Sequence, residues 1–104
     1  MQRVSVNKPQ PLDGESKKEQ DRVLVAFGSH LRQLRHDKVL TVEQVAENAG
    51  LHPNYLSSVE RGERNVSLYN IWRIAAGLGL SSTELVAGLP HRKVKPAKPK
   101  QPTR

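Results

Sequence analysis

The segment from Val42 to Arg61, VEQVAENAGLHPNYLSSVER, constrains the fold of this chain most strongly. Two short helices that cross steeply need a small residue at the crossing and a residue that adopts a left-handed turn between them. Ala46 and Gly50 meet these two requirements. The positions that must be apolar to bury such a unit hold Val45, Ala49, Leu51, Leu56 and Val59. The segment therefore predicts two helices joined by a tight turn.

Capping residues and turn glycines divide the surrounding chain into helices. Thr41 followed by Gln44 is a capping-box pattern, and Pro53 suits the first turn of a helix. The predicted elements are a first helix from about Asp21 to Asp37, a second from Val42 to Asn48, a third from His52 to Arg61, a fourth capped by Ser67 and stopped by Gly79, and a fifth capped by Ser81 or Ser82. No run alternates with strand periodicity, so we expect an all-α fold.

Charge and composition separate three regions. The polar residues 1–20 contain prolines and a glycine and are predicted to be a disordered N-terminal arm, and residues 21–89 form the folded domain. Residues 90–104 hold six basic residues and no acidic one, which predicts a disordered basic tail. Residues 22–89 hold seven basic residues against six acidic ones. The formal net charge of +7 therefore describes the tail rather than the core.

Several classes of function are disfavoured by what the sequence lacks. It has no cysteine, its four histidines lack metal-ligand spacing, and it shows neither a nucleophile elbow nor a glycine-rich phosphate loop. The N-terminus has no signal-peptide core, and no apolar run is long enough to span a bilayer. We therefore expect no enzyme activity, no metal, no cofactor and no membrane contact, in a cytoplasmic, nucleoid-associated protein.

The stretches FGSHLRQLRHDKVLTVEQVAENAG and NIWRIAAGLGLSSTEL, within Phe27 to Leu89, resemble the Xre class of phage Cro-like and repressor-like DNA-binding domains. YLSSVERGERNVSLYNI is similar to the controller proteins of restriction–modification systems. The resemblance implies a five-helix lambda-repressor-like domain in which a helix-turn-helix places its second helix in the major groove of double-stranded DNA.

The resemblance also implies roles for individual residues. Base contacts would come from His52, Pro53, Asn54, Ser58 and Arg64, and backbone contacts from Arg35, Thr41, Val42, Tyr55, Ser57, Arg61 and Asn65. The amide of Asn54 is the best candidate for direct readout, since it can donate to and accept from an adenine edge together. Controller proteins can carry an arginine where this chain has Pro53, which cannot donate a hydrogen bond. Contact with a thymine methyl is the weaker substitute there.

Two further groups of residues have alternative interpretations. Arg35 and Glu60 resemble the structural ion pair that ties the third helix to the first, although Arg35 is also a candidate phosphate contact. Tyr69 and Trp72 lie off the main apolar stripe of the fourth helix. They are interpreted either as partly covered core or, with Leu85 of the fifth helix, as a dimer interface.

These features favour a homodimeric, sequence-specific transcriptional regulator, a repressor or controller acting on a pseudo-palindromic operator. Control by its own concentration or by a protein partner is expected rather than control by a small-molecule ligand. One alternative is an antitoxin-like protein that binds a protein partner as well as DNA. Another is a non-specific nucleoid binder driven by the basic tail, whose affinity would fall steeply with salt.

Overall fold

The computed structural model describes residues 13–94. Its helices are α1 (Gly14–Asp37), α2 (Val42–Ala49), α3 (Pro53–Glu60), α4 (Leu68–Leu78) and α5 (Ser82–Val86). No strand occurs within the described residues. The predicted all-α fold with five helices is therefore confirmed. None of these helices combines the length and the apolar character needed to cross a bilayer.

The start of α1 differs from the prediction. The helix begins at Gly14 rather than near Asp21, so residues 14–20, predicted to belong to a disordered arm, are its first turns. Asp13 caps the helix by accepting a 2.7 Å hydrogen bond from the Ser16 amide, which holds the pKa of this carboxyl below its usual value. The residues that follow include glutamate, lysine and glutamine, which are good helix formers. Residues 1–12 and 95–104 lie outside the described residues.

The other helix ends lie within one residue of the predicted positions. Thr41 and Gln44 form the predicted capping box at α2, and Ser67 caps α4. Ser81, rather than Ser82, caps α5. After α2 the chain turns through Gly50, which has a φ of 72° and lies in the left-handed region that glycine adopts without strain. Local side-chain chemistry therefore sets where these helices begin and end.

The five helices enclose one apolar core. Its fully buried large side chains come from all five helices and are Leu31, Val45, Leu56, Val59, Ile74 and Leu85. The helix α2 packs mainly against α4, and α5 packs against both α4 and α1. The prediction that Leu85 lies at a dimer interface is wrong, because this side chain is 0% exposed and fills the space between α5 and its neighbours.

A glycine sets the separation between α1 and α3. A Cβ atom added at Gly28 would lie 2.4 Å from the carbonyl oxygen of Val59 and 2.5 Å from that of Glu60. Real Cβ atoms do not approach backbone oxygens so closely, so only glycine allows the two helices to touch here. The orientation of α3 on the domain therefore depends on this contact.

Candidate nucleic-acid interface

The first turn of α3 presents two polar side chains to solvent. His52 is the N-cap, and its Nδ1 accepts a 3.0 Å hydrogen bond from the Asn54 amide. Since Nδ1 is the acceptor, the neutral imidazole carries its proton on Nε2, which can donate outward. Asn54 and His52 are both exposed, and Pro53 between them is half-buried. This turn can offer both a donor and an amide to the edges of bases.

Ser58 occupies a different environment from the one predicted. It is 3% exposed, and its hydroxyl donates a 2.6 Å hydrogen bond to the Tyr55 carbonyl. The same oxygen accepts a 3.1 Å hydrogen bond from Nε of Arg64. The prediction that Ser58 contacts a base is therefore wrong in this structure, because its hydrogen atom is engaged and the side chain is covered by its own domain.

Tyr55 links α3 to α4. Its hydroxyl accepts a 3.1 Å hydrogen bond from Nδ2 of Asn70, and its ring packs against the core. The phenolic hydrogen can still donate to a phosphate oxygen, so the backbone contact by Tyr55 stays a prediction. Ser57, the next predicted backbone contact, is half-buried on the same helix. Asn70 is a contributor that the sequence did not single out.

Arg61 and Glu63 form an exposed ion pair in the loop after α3. Nε of Arg61 lies 2.8 Å from Oε2 of Glu63, and Nη2 lies 3.2 Å from Oε1. These hydrogen bonds lower the pKa of Glu63 and raise that of Arg61. Arg64 and Asn65 follow, both exposed. Glu63 thus occupies one edge of the Arg61 guanidinium, and its negative charge opposes the approach of a phosphate to this residue.

Glu63→Gln is expected to raise affinity for every duplex severalfold. The change removes a negative charge from the loop and frees the Arg61 guanidinium for phosphate, so the gain should be equal on specific and random sequences and should shrink as salt rises. Fluorescence anisotropy with both duplexes at several salt concentrations measures it. Glu47→Gln, at an exposed position of α2 outside this loop, is the control. An unchanged affinity would show that Glu63 does not compete with DNA.

The ion pair between Arg35 and Glu60 is present and enclosed. Nε and Nη2 of Arg35 donate to the two carboxylate oxygens of Glu60 at 2.6 and 3.0 Å, and Nη1 donates to the Leu40 carbonyl at 2.9 Å. The side chains are 11% and 7% exposed. The predicted ion pair is therefore present in the structure. A phosphate contact by Arg35 is disfavoured, because every nitrogen of the guanidinium already has a partner within the domain.

The turn between α2 and α3 is held by a side chain that the sequence did not reveal. Nε of Arg73, on α4, donates to the Ala49 carbonyl at 3.0 Å, and its Nη2 donates to the Gly50 carbonyl. These are the carbonyls at the C-terminal end of α2. Arg73 therefore ties the end of α2 and the turn that follows it to α4. No local pattern marks this role, since the residues involved are far apart in sequence.

The start of α2 and the surface of α4 complete the set of predicted positions. Thr41 is exposed and Val42 half-buried at the N-terminus of α2, where the backbone amides favour a phosphate.

On α4, Tyr69 and Trp72 are each 62% exposed, with ring centroids 6.2 Å apart. The Arg73 guanidinium lies 5.1 Å from the centroid of the Tyr69 ring. Within residues 13–94 no cluster of side chains could hold a metal ion.

Comparison with known proteins places this arrangement in a family. Residues 26–89 match the family model described as "Helix-turn-helix domain". The control protein C.MunI of a Mycoplasma species is 41% identical over 68 residues, an alignment that covers 64% of this chain and 92% of that protein. The control protein C.BamHI of Bacillus amyloliquefaciens is 39% identical over 67 residues, covering 64% of this chain and 83% of that protein.

A solved structure agrees with these relatives. The restriction–modification controller protein C.AhdI from Aeromonas hydrophila superposes with a TM-score of 0.58 and 48% sequence identity. The match covers 60% of this chain and 94% of C.AhdI. The resemblance to controller proteins that the sequence indicated is therefore confirmed, in both sequence and fold.

Proposed function

The chain belongs to the helix-turn-helix domain family and is a DNA-binding transcriptional regulator, and from this premise we propose that it acts as a homodimer on a pseudo-palindromic operator. In each chain α3 would be the recognition helix and would enter a major groove, with the two half-sites one helical turn, about 34 Å, apart. The role is that of a controller or repressor, regulated by its own concentration rather than by a small-molecule ligand.

The exposed first turn of α3 is the observation that supports sequence-specific binding best. His52 and Asn54 face solvent there, while Leu56 and Val59 bury the opposite side of the same helix in the core. A helix docked in this way has fixed orientation, so its polar turn can be aligned with base edges. Backbone contacts would come from Thr41, Val42, Tyr55, Ser57, Arg61 and Asn65 around it, and Arg64 would reach a base or a phosphate.

Asn54→Ala is expected to weaken binding to a selected operator by roughly 1–3 kcal/mol and to leave random DNA nearly unchanged. The amide makes base-edge hydrogen bonds, which exist only on the correct sequence. Isothermal titration or anisotropy with a selected and a random duplex measures both affinities.

Asn65→Ala is the matched control, since Asn65 is an exposed asparagine proposed to contact phosphate. Its loss should weaken both duplexes equally. If Asn54→Ala also weakens both duplexes equally, Asn54 does not read a base.

The dimer is proposed to form through the surface of α4 that carries Tyr69 and Trp72. Large aromatic side chains with most of their surface exposed are enriched where proteins meet, and this pair is stacked and contiguous. A different protein bound to the same surface is the alternative, as an antitoxin-like function would require. Equilibrium sedimentation of the purified chain separates the two, since only the homodimer changes mass with its own concentration.

A further inference from the structure

We propose that Ser58 is a positioning residue for DNA recognition, which holds the guanidinium of Arg64 in one orientation before DNA arrives. The inference rests on the proposed function, because Arg64 is taken to contact DNA. In this proposal Ser58 acts through the Arg64 side chain and does not itself contact DNA.

The hydrogen bonds of Ser58 have fixed directions. Its hydroxyl donates to the Tyr55 carbonyl at 2.6 Å, so its hydrogen is directed back into the helix. Only lone pairs remain to face outward, and one of them accepts the 3.1 Å hydrogen bond from Nε of Arg64. Because Ser58 is 3% exposed, water does not compete freely for this oxygen. The acceptor that meets Arg64 is therefore held rigidly by α3.

The backbone of Ser58 holds the same loop. Its carbonyl accepts a 3.0 Å hydrogen bond from the Glu63 amide, and the Val59 carbonyl accepts one of 3.0 Å from Gly62. Gly62 has a φ of 76°, and this pair of bonds is the Schellman arrangement that ends a helix. The chain leading to Arg64 is thus fixed to Ser58 through its backbone, and the Arg64 side chain is fixed to the same residue through its hydroxyl.

The hydrogen bond from Nε determines which donor groups Arg64 can present to DNA. A guanidinium is planar, with one donor hydrogen on Nε and four on its two terminal nitrogens. Anchoring Nε fixes the plane and leaves the terminal nitrogens as a fork, the geometry that suits a phosphate or the O6 and N7 atoms of guanine. Arg64 is exposed, so this fork is accessible. The loss of side-chain freedom that binding would otherwise require has already occurred in the unbound protein.

A double-mutant cycle tests the inference on the full chain, with Ser58→Ala, Arg64→Lys and both together. Lysine keeps the positive charge but lacks Nε–H and the planar fork, so DNA binding stays measurable. We expect Ser58→Ala to weaken binding to the selected duplex about two- to tenfold when Arg64 is present, the effect of freeing one long side chain. In the Arg64→Lys background the same change should have almost no effect.

Two further measurements separate positioning from mere structural support. The Arg64 Nε–H signal in ¹⁵N NMR should exchange slowly with water in the unaltered chain and rapidly in Ser58→Ala. Ser58→Cys, which replaces the hydroxyl oxygen by sulfur, a weak acceptor, should lose affinity as Ser58→Ala does. Ser29→Ala, at an exposed position of α1, is the control and should change neither affinity nor the Arg64 signal.

If Ser58→Ala lowers affinity equally in the unaltered chain and in the Arg64→Lys background, the inference is overturned, and an unchanged affinity in Ser58→Ala would overturn it too. Should Ser58→Ala fail to fold, Ser58→Cys gives the same two readings. A failure of the unaltered chain to distinguish the selected duplex from random DNA would instead overturn the proposed function, and the inference with it.

Discussion

Glu60→Ala is expected to lower the free energy of unfolding by about 3–5 kcal/mol, because it leaves the Arg35 guanidinium enclosed without its carboxylate partner. Arg35 is 9% exposed and cannot regain full hydration unless α1 and α3 separate. Its hydrogen bonds to Glu60 raise the pKa of Arg35 in the unaltered chain. An arginine guanidinium also stays charged without that partner. Urea unfolding followed by circular dichroism measures the loss.

The exposed pair between Arg61 and Glu63 provides the control for this prediction. Its side chains are 58% and 54% exposed, so Glu63→Ala should change the unfolding free energy little. Replacing the buried pair together, as Arg35→Met with Glu60→Leu, should recover much of the stability that Glu60→Ala removes. A loss in Glu60→Ala no larger than that in Glu63→Ala would show that the buried pair is not structural.

Gly28→Ala is expected to destabilise the domain by about 1–3 kcal/mol or more, since one added methyl group must push α3 away from α1. The methyl would meet the carbonyl oxygens of Val59 and Glu60, which are backbone atoms and cannot rotate aside. Molecules that remain folded should also bind the selected duplex more weakly, because α3 would be displaced. Thermal unfolding and anisotropy measure the two effects.

Gly14→Ala is the matched control for the substitution at Gly28. An added Cβ at Gly14 has no atom within 4 Å, and alanine is the better helix former, so this change should be neutral or slightly stabilising. If Gly28→Ala retains the stability of the unaltered chain, the close approach of α1 and α3 is not what sets the orientation of the recognition helix.

Local signals account for the parts of the fold that the sequence predicts well. Thr41 with Gln44, Ser67, and the left-handed Gly50 act on backbone groups within a few residues, so their effect can be read without knowing the tertiary structure. The early start of α1 is not predicted, because Gly14 and the nearby prolines suggest a loop. The Asp13 cap outweighs them in the structure.

Features that depend on distant residues cannot be predicted in the same way. Apolar periodicity places Leu85 on a helix face but does not say whether that face meets the core or a second molecule. Ser58 lies on the recognition helix in the position of a base contact, and only the path of the loop after α3 shows that Arg64 reaches its oxygen. Val39, with a φ of 55°, turns the chain between α1 and α2 where patterns would favour glycine or asparagine.

The site itself is predicted mainly through the resemblance to known regulators. That resemblance identifies α3 and the loop after it, and the structure leaves Asn54, His52 and Arg64 exposed there. The resemblance does not distinguish side chains that face solvent from those that form hydrogen bonds within the domain, as Arg35 does. This separation depends on the hydrogen-bond partners that the fold supplies, which no single motif contains.

Selection of a binding site from random duplexes, followed by titration of the selected and a random duplex as salt rises, tests the central proposal most directly. We expect a pseudo-palindromic site with half-sites about 34 Å apart, bound by two chains and at least about 10³ times more tightly than random DNA. The preference should persist while both affinities fall with salt. Equal affinity for both duplexes at every salt concentration, with no site enriched, would contradict sequence-specific regulation by this chain.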